Sequence, residues 1–393
     1  MRKVAILPPA VQGQIAAGEV IERPASVVRE LVENALDAGA RRVEVRLGAG
    51  GLDLIKVADD GEGMSIEDAV VAFARHATSK LTCSEDLAVV QTLGFRGEAL
   101  PSIAAVARVR MVTRRADAPG AVVVEADGAG ARAAGMAAGA GGTTVEVAGL
   151  FEATPARRKF LRAPATEVGH VVDVLTRLAV ARPEVGFRLE HDGREVLALP
   201  PVRDLRQRLA QTLGRERAAA LVPVAARGAH AGLSGFLAPP GEHLASARLL
   251  WTYVSLGGGT PRWVRDRLLL RAVLDGYASL LMRGRYPLAV VFLDLAAGEV
   301  DVNVHPAKLE VRFQHSTAIH QLIAPAVRAQ LARALAPGRP APAGAAGEGL
   351  VSYGTPARPV PAMPFTPPAP TGPGPETGGL WAPAPQGFRA LRF

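Results

Sequence analysis

Between Val27 and Asp59 the apolar residues change spacing, from every third or fourth position to every second one, and this switch constrains the fold most. In "VVRELVENALDAGA" (27–40), Val27, Val28, Leu31, Val32, Ala35 and Leu36 fall on one half of a helical wheel. Glu30, Glu33, Asn34 and Asp37 fall on the other half. Pro24 suits the first turn of such a helix and Gly39 its end. "RRVEVRL" and "LDLIKVA" then alternate around a Gly-rich turn, which predicts a hairpin with one buried face.

Helices are predicted around 65–74 and 97–105, then strands at 106–114, 121–126 and 143–148. Helix, hairpin, helices and strands in that order make an α+β layer, not an alternating parallel fold. The intervening "ADGAGARAAGMAAGAGG" (126–142) reads as a mobile loop. A further helix covers 167–181 and ends at Arg182-Pro183. From about Arg206 a second α+β unit follows, with strands in "HAGLSGFLAP", "RLLWTYVSL" and "LAVVFLDL", and helices in "VRDRLLLRAVLDGYASLLM" and before Ala336. Beyond it the chain is Pro/Gly-rich with few core formers, a disordered tether. The expected domains are 1–205, 206–336 and a tail at 337–393.

A chain of 393 residues with 49% hydrophobic content has room for two cores. No run of about 18 apolar residues occurs, and Pro8, Pro9 and Gln12 interrupt the start where a signal peptide needs an apolar stretch. A cytoplasmic protein without membrane contact is expected. Cys83 is the only cysteine, which excludes an internal disulfide and a cysteine zinc site and leaves it as a small neutral filler. The net charge of +8 suits a polyanionic partner such as nucleic acid. Most of the basic residues are arginine, so the few lysines say more, and Lys80, Lys159 and Lys308 each lie in a distinctive stretch.

On its own, the row Glu30, Glu33, Asn34, Asp37 is a solvated helix face. "ADDGEGM" (58–64) puts Asp59 at a strand end before Gly61 and Gly63: either an ordinary turn, or a carboxylate accepting from an exocyclic amine where glycines admit a flat base. "ARHATSK" and "LGFRGEAL" bracket 81–92, either a solvent-exposed connection or a lid ordered by nucleotide. Thr78, Ser79 and Gly97 offer backbone N–H groups there, and Lys80 and Arg96 offer charge, a set that suits a triphosphate. Gly142-Thr143-Thr144 is either an ordinary Gly-Thr step or the back of an adenine pocket. In "VNVHPAKLEVRF" a proline-fixed turn projects Lys308, with His305 bracing it.

In their order, these stretches resemble the GHKL ATPases and, within them, the MutL mismatch-repair family. The similarity is carried by "QIAAGEVIERPASVVRELVENALDAGA", "DDGEGM", "ARHATSK", "LGFRGEALPSIAAVA", "TPARRKFL" and "VDVNVHPAKLEVRF", and covers residues 1 to about 335. It implies a GHKL sandwich, a mixed and mostly antiparallel sheet covered by helices, followed by a ribosomal-S5-domain-2-like α+β domain and the disordered tail. By the same resemblance Glu30 is the general base that activates water, and Asn34 the protein ligand of Mg²⁺. Asp59 is then the adenine ligand, with Gly61, Gly63, Met64 and Thr143 around the base. Thr78, Ser79, Lys80, Gly94, Phe95, Arg96, Gly97 and Glu98 form the ATP lid, and Ala99 and Leu100 after it are also ATP-binding. Lys308 reaches the γ-phosphate from the second domain. Asp37 and Glu33 are left as helix surface or supporting residues.

The implied partners are ATP with Mg²⁺, DNA bound largely without sequence preference, a MutS-type mismatch-recognition protein and a downstream repair nuclease or helicase. An ATP-dependent homodimer through the N-terminal region is implied as well. A nucleotide-binding scaffold, or another GHKL machine such as a gyrase B-like or chaperone ATPase, is the alternative; "VNVHPAKLEVRF" argues against the latter. Three positions depart from the family pattern. Asp60 and Ala153 stand where relatives carry Asn, and "SLGGGTPRWVRDR" is an altered form of the Asn-Gly-Arg segment, which weakens its expected DNA contact. The family's C-terminal dimerisation domain and "DQHA"-type nuclease motif have no counterpart, so endonuclease activity is not expected of this chain.

Overall fold

The computed structural model describes residues 8–80, 91–94, 96–301, 304 and 309–336. The expected tail at 337–393 lies outside the described residues. Two helices open the fold, α1 (Pro9–Val20) and α2 (Pro24–Asp37). Proline at the first position of α2 gives up an N–H that has no helical partner in any case. Val27, Val28, Leu31, Val32, Ala35 and Leu36 are at most 4% exposed, and each large apolar side chain buried this way stabilises the fold by about 1.5–3 kcal/mol. The helix stops where Gly39 N–H bonds Leu36 O at 3.1 Å and Ala40 N–H bonds Ala35 O at 3.0 Å, a pattern that satisfies the last carbonyls.

The first sheet contains β1 (Arg42–Gly48), β2 (Leu54–Asp59), β3 (Arg108–Arg114), β4 (Ala121–Asp127), β5 (Gly130–Ala137), β6 (Gly142–Ala148), β7 (Gly186–His191) and β8 (Arg194–Leu199). Its order is β5-β4-β3-β6-β2-β1-β7-β8, and β1–β7 is its only parallel pair. The same stretch of chain holds α3 (Ile66–Val71), α4 (Ala99–Ala104), α5 (Pro155–Lys159) and α6 (Pro164–Ala181). Alternation buries Val43, Val45 and Leu47 of β1 and Ile55 and Val57 of β2 in one core with the apolar face of α2. α2 runs over β1 and β2 beside α4 and α6. The expected loop at 126–142 is a correction: 130–137 pairs with β4 as the sheet's edge strand. Glycines and alanines give it no apolar alternation, and its side chains are mostly exposed, so its order comes from backbone pairing that leaves no trace in residue pattern.

The second unit is built from α7 (Leu205–Leu213), α8 (Arg215–Ala220), β9 (Val222–Arg227), β10 (Ala231–Leu237), β11 (His243–Leu244), β12 (Leu250–Leu256) and β13 (Arg262–Val264). It continues with α9 (Arg267–Tyr277), β14 (Tyr286–Pro287), β15 (Ala289–Leu295), β16 (Val300–Asp301), β17 (Arg312–Phe313) and α10 (Ser316–Leu335). Five strands form a sheet of order β13-β12-β15-β10-β9, on which α9 and α10 pack. Asp266 caps α9 by accepting from Leu268 and Leu269 N–H at 2.8 and 3.1 Å.

The two sheets meet through α6. Val180 and Ala181 share a core with Leu209, Tyr253, Leu288 and Val290, and Tyr253 donates its hydroxyl to Arg177 O at 3.0 Å. Arg208 is fully buried and donates to Pro183 O and Val185 O at 2.7 and 2.6 Å; burial pulls its guanidinium down to about 10. All described residues belong to one compact body, of which the two sheets are parts. Among them, no helix is long and apolar enough to cross a membrane.

Candidate functional site

At the end of β2, Asp59 Oδ1 accepts the N–H of Gly61 at 2.9 Å, and Asp59 lies opposite Thr143 of β6. Burial is the main influence on this carboxyl and pushes its pKa above the usual value; backbone hydrogen bonds from Gly61 and Thr143 oppose the shift, and the neighbouring Asp60 adds to it. Asp60 Oδ1 accepts from the N–H groups of Arg41 and Arg42, both at 2.7 Å, and Glu62 N–H bonds Ala38 O at 3.0 Å. The "DDGEG" turn is therefore fastened to the exit of α2. Gly63 has φ +68°, and a Cβ there would stand 2.2 Å from Arg114 O, so only glycine lets the turn lie on β3. Met64 N–H donates to Thr113 Oγ1 at 2.9 Å, and that hydroxyl is 2.9 Å from Thr143 Oγ1. Asp59, Gly61, Gly63, Met64 and Thr143 thus surround one spot. Thr113, buried in β3, joins them and carries no sequence signal beyond strand alternation.

The polar flank of α2 is not a solvated face. Glu30 and Glu33 are 5% and 8% exposed, and the Asp37 side chain 4%. Arg29 Nη2 lies 3.5 Å from Glu30 Oε1. Of the two roles open to Asp37, helix surface or support, the structure shows the second: its two oxygens accept the N–H groups of Leu93 and Gly94 at 2.8 and 2.9 Å. Lys80 Nζ sits 2.5 Å from Asp37 Oδ2 and 3.0 Å from Asn34 Oδ1. Both ends of the expected lid are therefore tied to α2. They also touch each other: Gly97 has φ +62°, and a Cβ on it would stand 2.3 Å from Ala77 O. Thr78 Oγ1 accepts Lys80 N–H at 3.2 Å, Ser79 is exposed, and Glu98 lies 3.8 Å from the His76 ring and precedes Ala99 and Leu100 at the start of α4. Arg96 is half-buried. Phe95 and Lys308, with His305 and Cys83, lie outside the described residues.

A second-unit residue completes this seam. Arg262 of β13 is 8% exposed and donates through Nη2 to Thr92 O and Leu93 O at 2.8 and 3.0 Å. Burial pushes its guanidinium below the usual range, opposed by the carboxylates of Glu33, Asp37 and Glu30. The altered "GGGTPR" segment thus sends an arginine inward, onto the 92–93 backbone and toward the acidic flank of α2. Gly94 shapes the gap between Asn34 and Lys80, since a Cβ on it would stand 3.3 Å from Asn34 Oδ1 and 2.9 Å from Lys80 Nζ.

With this geometry in place, comparison with known proteins decides the family. A family model described as "Histidine kinase-, DNA gyrase B-, and HSP90-like ATPase" matches residues 21–127, and one described as "DNA mismatch repair protein, C-terminal domain" matches 209–332. The chain is 45% identical over 368 residues to the DNA mismatch repair protein MutL of Trichlorobacter lovleyi, covering 94% of this chain and 59% of that protein. The chain belongs to the MutL family. The MutL protein of Anaeromyxobacter sp. (strain K) is 50% identical over 313 residues, 80% of this chain and 51% of its own length. The MutL-family sequence here thus spans about half the length of the curated relatives it matches. Among solved structures, the "N terminal domain of a DNA repair protein" shares the fold at TM-score 0.69 and 23% identity, over 82% of this chain and 98% of that one. The Aquifex aeolicus MutL ATPase domain complexed with ADP matches at TM-score 0.51 and 28% identity, over 70% of this chain and 93% of that domain. The first sheet with its helices is a GHKL ATPase fold of the MutL type, and the mismatch-repair match over 209–332 separates the chain from gyrase and chaperone relatives of that ATPase.

Proposed function

We propose that this MutL-family chain binds and hydrolyses ATP with Mg²⁺ and acts in DNA mismatch repair as a nucleotide-switched matchmaker. The observation that carries the proposal is the buried flank of α2. Glu30 and Asn34 stand one turn apart on a helix whose next polar residue, Asp37, anchors both ends of the lid. In this reading the adenine amine donates to Asp59, with Gly63, Met64 and Thr143 around the base. The triphosphate lies under the lid formed by Thr78, Ser79, Lys80 and 94–98. Glu30 takes the proton from the attacking water.

The residues present fit a magnesium ion. Asn34 Oδ1 already accepts from an ammonium at 3.0 Å, and the missing side chain at Gly94 leaves the space beside it clear. Mg²⁺ needs few protein oxygens, because phosphate and water complete its octahedron, and there it would supply neutralisation of charge on the phosphates. Lys80 leaves Asn34 and turns toward the phosphates as nucleotide enters. Because Arg262 holds the carbonyls of Thr92 and Leu93, lid position is read directly by the second sheet. Lys308 adds a second link from that unit in the nucleotide-bound state. The domain limits near 205 and 336 then mark the ATPase and transducer parts.

Nucleotide-driven change of this seam closes the N-terminal regions of two chains into a dimer that holds DNA. Exposed Arg158, Lys159 and Phe160 at the end of α5 support a DNA contact of phosphate and stacking type. A MutS-type protein and a repair nuclease or helicase are the partners this role requires. Glu30→Ala tests the assignment: turnover is expected to fall on the order of 10²- to 10⁴-fold while nucleotide affinity is kept. Turnover within a factor of two of the unaltered protein would remove Glu30 as the base and favour a scaffold in which hydrolysis is incidental.

A further inference from the structure

Outside the nucleotide site, three short turns bring His230, Glu299 and His315 together at one end of the second sheet. His230 sits in the β9–β10 turn, just before Ala231, which pairs with Leu295 at the end of β15. Glu299 follows that strand by four residues, where its N–H bonds Ala296 O at 3.3 Å. His315 precedes α10, and its neighbour Gln314 donates N–H to Glu299 O at 2.9 Å. The backbone thus fixes Glu299 beside His315 at the mouth of the β16–β17 ribbon, and sheet register fixes His230 beside both.

Each oxygen of the one carboxylate faces a different imidazole. His230 Nδ1 is 3.0 Å from Glu299 Oε1, and His315 Nε2 is 3.7 Å from Glu299 Oε2. The two rings lie 4.2 Å apart between centroids at 30°. All three donor atoms are within 4.8 Å of one another. Metal–ligand distances of 2.0–2.2 Å in a tetrahedral zinc site put donor atoms about 3.3 Å apart, a separation these distances bracket.

We propose that His230, Glu299 and His315 form a divalent transition-metal site of the Zn²⁺ class, with at least one position left for water or an outside ligand. Two imidazoles and a carboxylate suit Zn²⁺, Co²⁺ or Ni²⁺ and suit Mg²⁺ and Ca²⁺ poorly. Partial exposure, with the side chains 36%, 18% and 42% accessible in that order, gives the ion a path in and an open face. Bound through one nitrogen, each imidazole would carry its N–H on the other, so binding needs no co-reactant. The ion would clasp three turns that are otherwise joined by hydrogen bonds, including the two ends of the 300–314 stretch.

The test uses the full chain, without an affinity tag, stripped by chelator and kept free of nucleotide. Calorimetry with ZnCl₂ is expected to show one equivalent bound at micromolar affinity or tighter, and Co²⁺ to give the visible absorption of a four- or five-coordinate ion. His230→Ala and His315→Ala should each weaken binding more than about tenfold, and Cys83→Ser should leave it unchanged. Glu299→Gln keeps a hydrogen-bonding oxygen but removes the charge, so a comparable loss there, with unchanged melting of the metal-free protein, separates ligation from misfolding. Absence of binding at tens of micromolar zinc, or full affinity in either histidine variant, would overturn the site.

Discussion

Replacing Asp59 with asparagine separates what this residue does for the fold from what it does for a ligand. Asp59 Oδ1 accepts Gly61 N–H at 2.9 Å, and burial pushes the carboxyl pKa up. A group whose folded pKa lies above its unfolded value of 3.8 binds more protons in the folded state. Its stabilising share is therefore present below the unfolded pKa and is lost as pH rises through the folded one. At neutral pH the ionised carboxylate costs stability. Asparagine removes that cost and keeps an oxygen for Gly61, so empty Asp59→Asn should melt at or above the parent temperature at pH 7.5, with the difference shrinking toward pH 4. Nucleotide binding moves the other way. Either orientation of the amide points an N–H at a donor, the adenine amine or Gly61, and a buried mismatch of that kind costs about 1–3 kcal/mol. Dissociation constants for a non-hydrolysable ATP analogue should rise roughly 5- to 150-fold, read by calorimetry beside thermal melting in the absence of ligand. Unchanged affinity would refute the adenine assignment; a variant that loses affinity and also melts early would show that Asp59 acts through the fold.

Three further outcomes follow from the same seam and surface. Asp37→Asn leaves one acceptor for the N–H groups of Leu93 and Gly94, a loss of about 1–3 kcal/mol, so the lid base should exchange amide hydrogen faster and release nucleotide sooner; parent-like exchange at 91–94 contradicts it. Arg262→Leu orphans the carbonyls of Thr92 and Leu93, and should lower stability by about 1–3 kcal/mol for each in denaturant unfolding while leaving the salt dependence of DNA binding intact. A reduced salt slope would instead make Arg262 a phosphate contact. DNA affinity of the unaltered chain should fall steeply from 50 to 200 mM salt with little sequence preference, and a flat dependence in filter binding would remove DNA as a partner.

Much of the fold was legible because periodicity and burial agree. α2, the β1–β2 hairpin and the strands at 108–114, 121–127 and 142–148 all show the spacing their cores require. β5 was not legible, since an edge strand of Ala and Gly is ordered by backbone hydrogen bonds alone. Nor was the burial of the acidic flank. Glu30, Glu33 and Asp37 look like a solvated stripe on α2, because what meets that flank comes from distant stretches: Lys80 and the 93–94 segment on Asp37, and Arg262, whose charge is favoured by Glu33, Asp37 and Glu30. Asp60 shows the same limit at short range. As a substitution it says little, but in place it holds the N–H groups of Arg41 and Arg42, a task either oxygen of an Asp or the one of an Asn performs. Motif order was enough to nominate the nucleotide residues, while their supports, Thr113 and Arg262, needed the tertiary structure.

Where a nucleotide's terminal phosphate lies relative to α2 decides whether the buried flank is catalytic or structural. A crystal structure of this chain with Mg²⁺ and a non-hydrolysable ATP analogue measures it directly. The adenine amine is expected on Asp59, Asn34 Oδ1 about 2.0–2.1 Å from the metal, and Glu30 within one water of the γ-phosphate, with Lys80 released from Asn34. Nucleotide bound elsewhere, or Glu30 farther than one water from the γ-phosphate with Lys80 still on Asn34, would overturn the assignment of α2 as the catalytic helix.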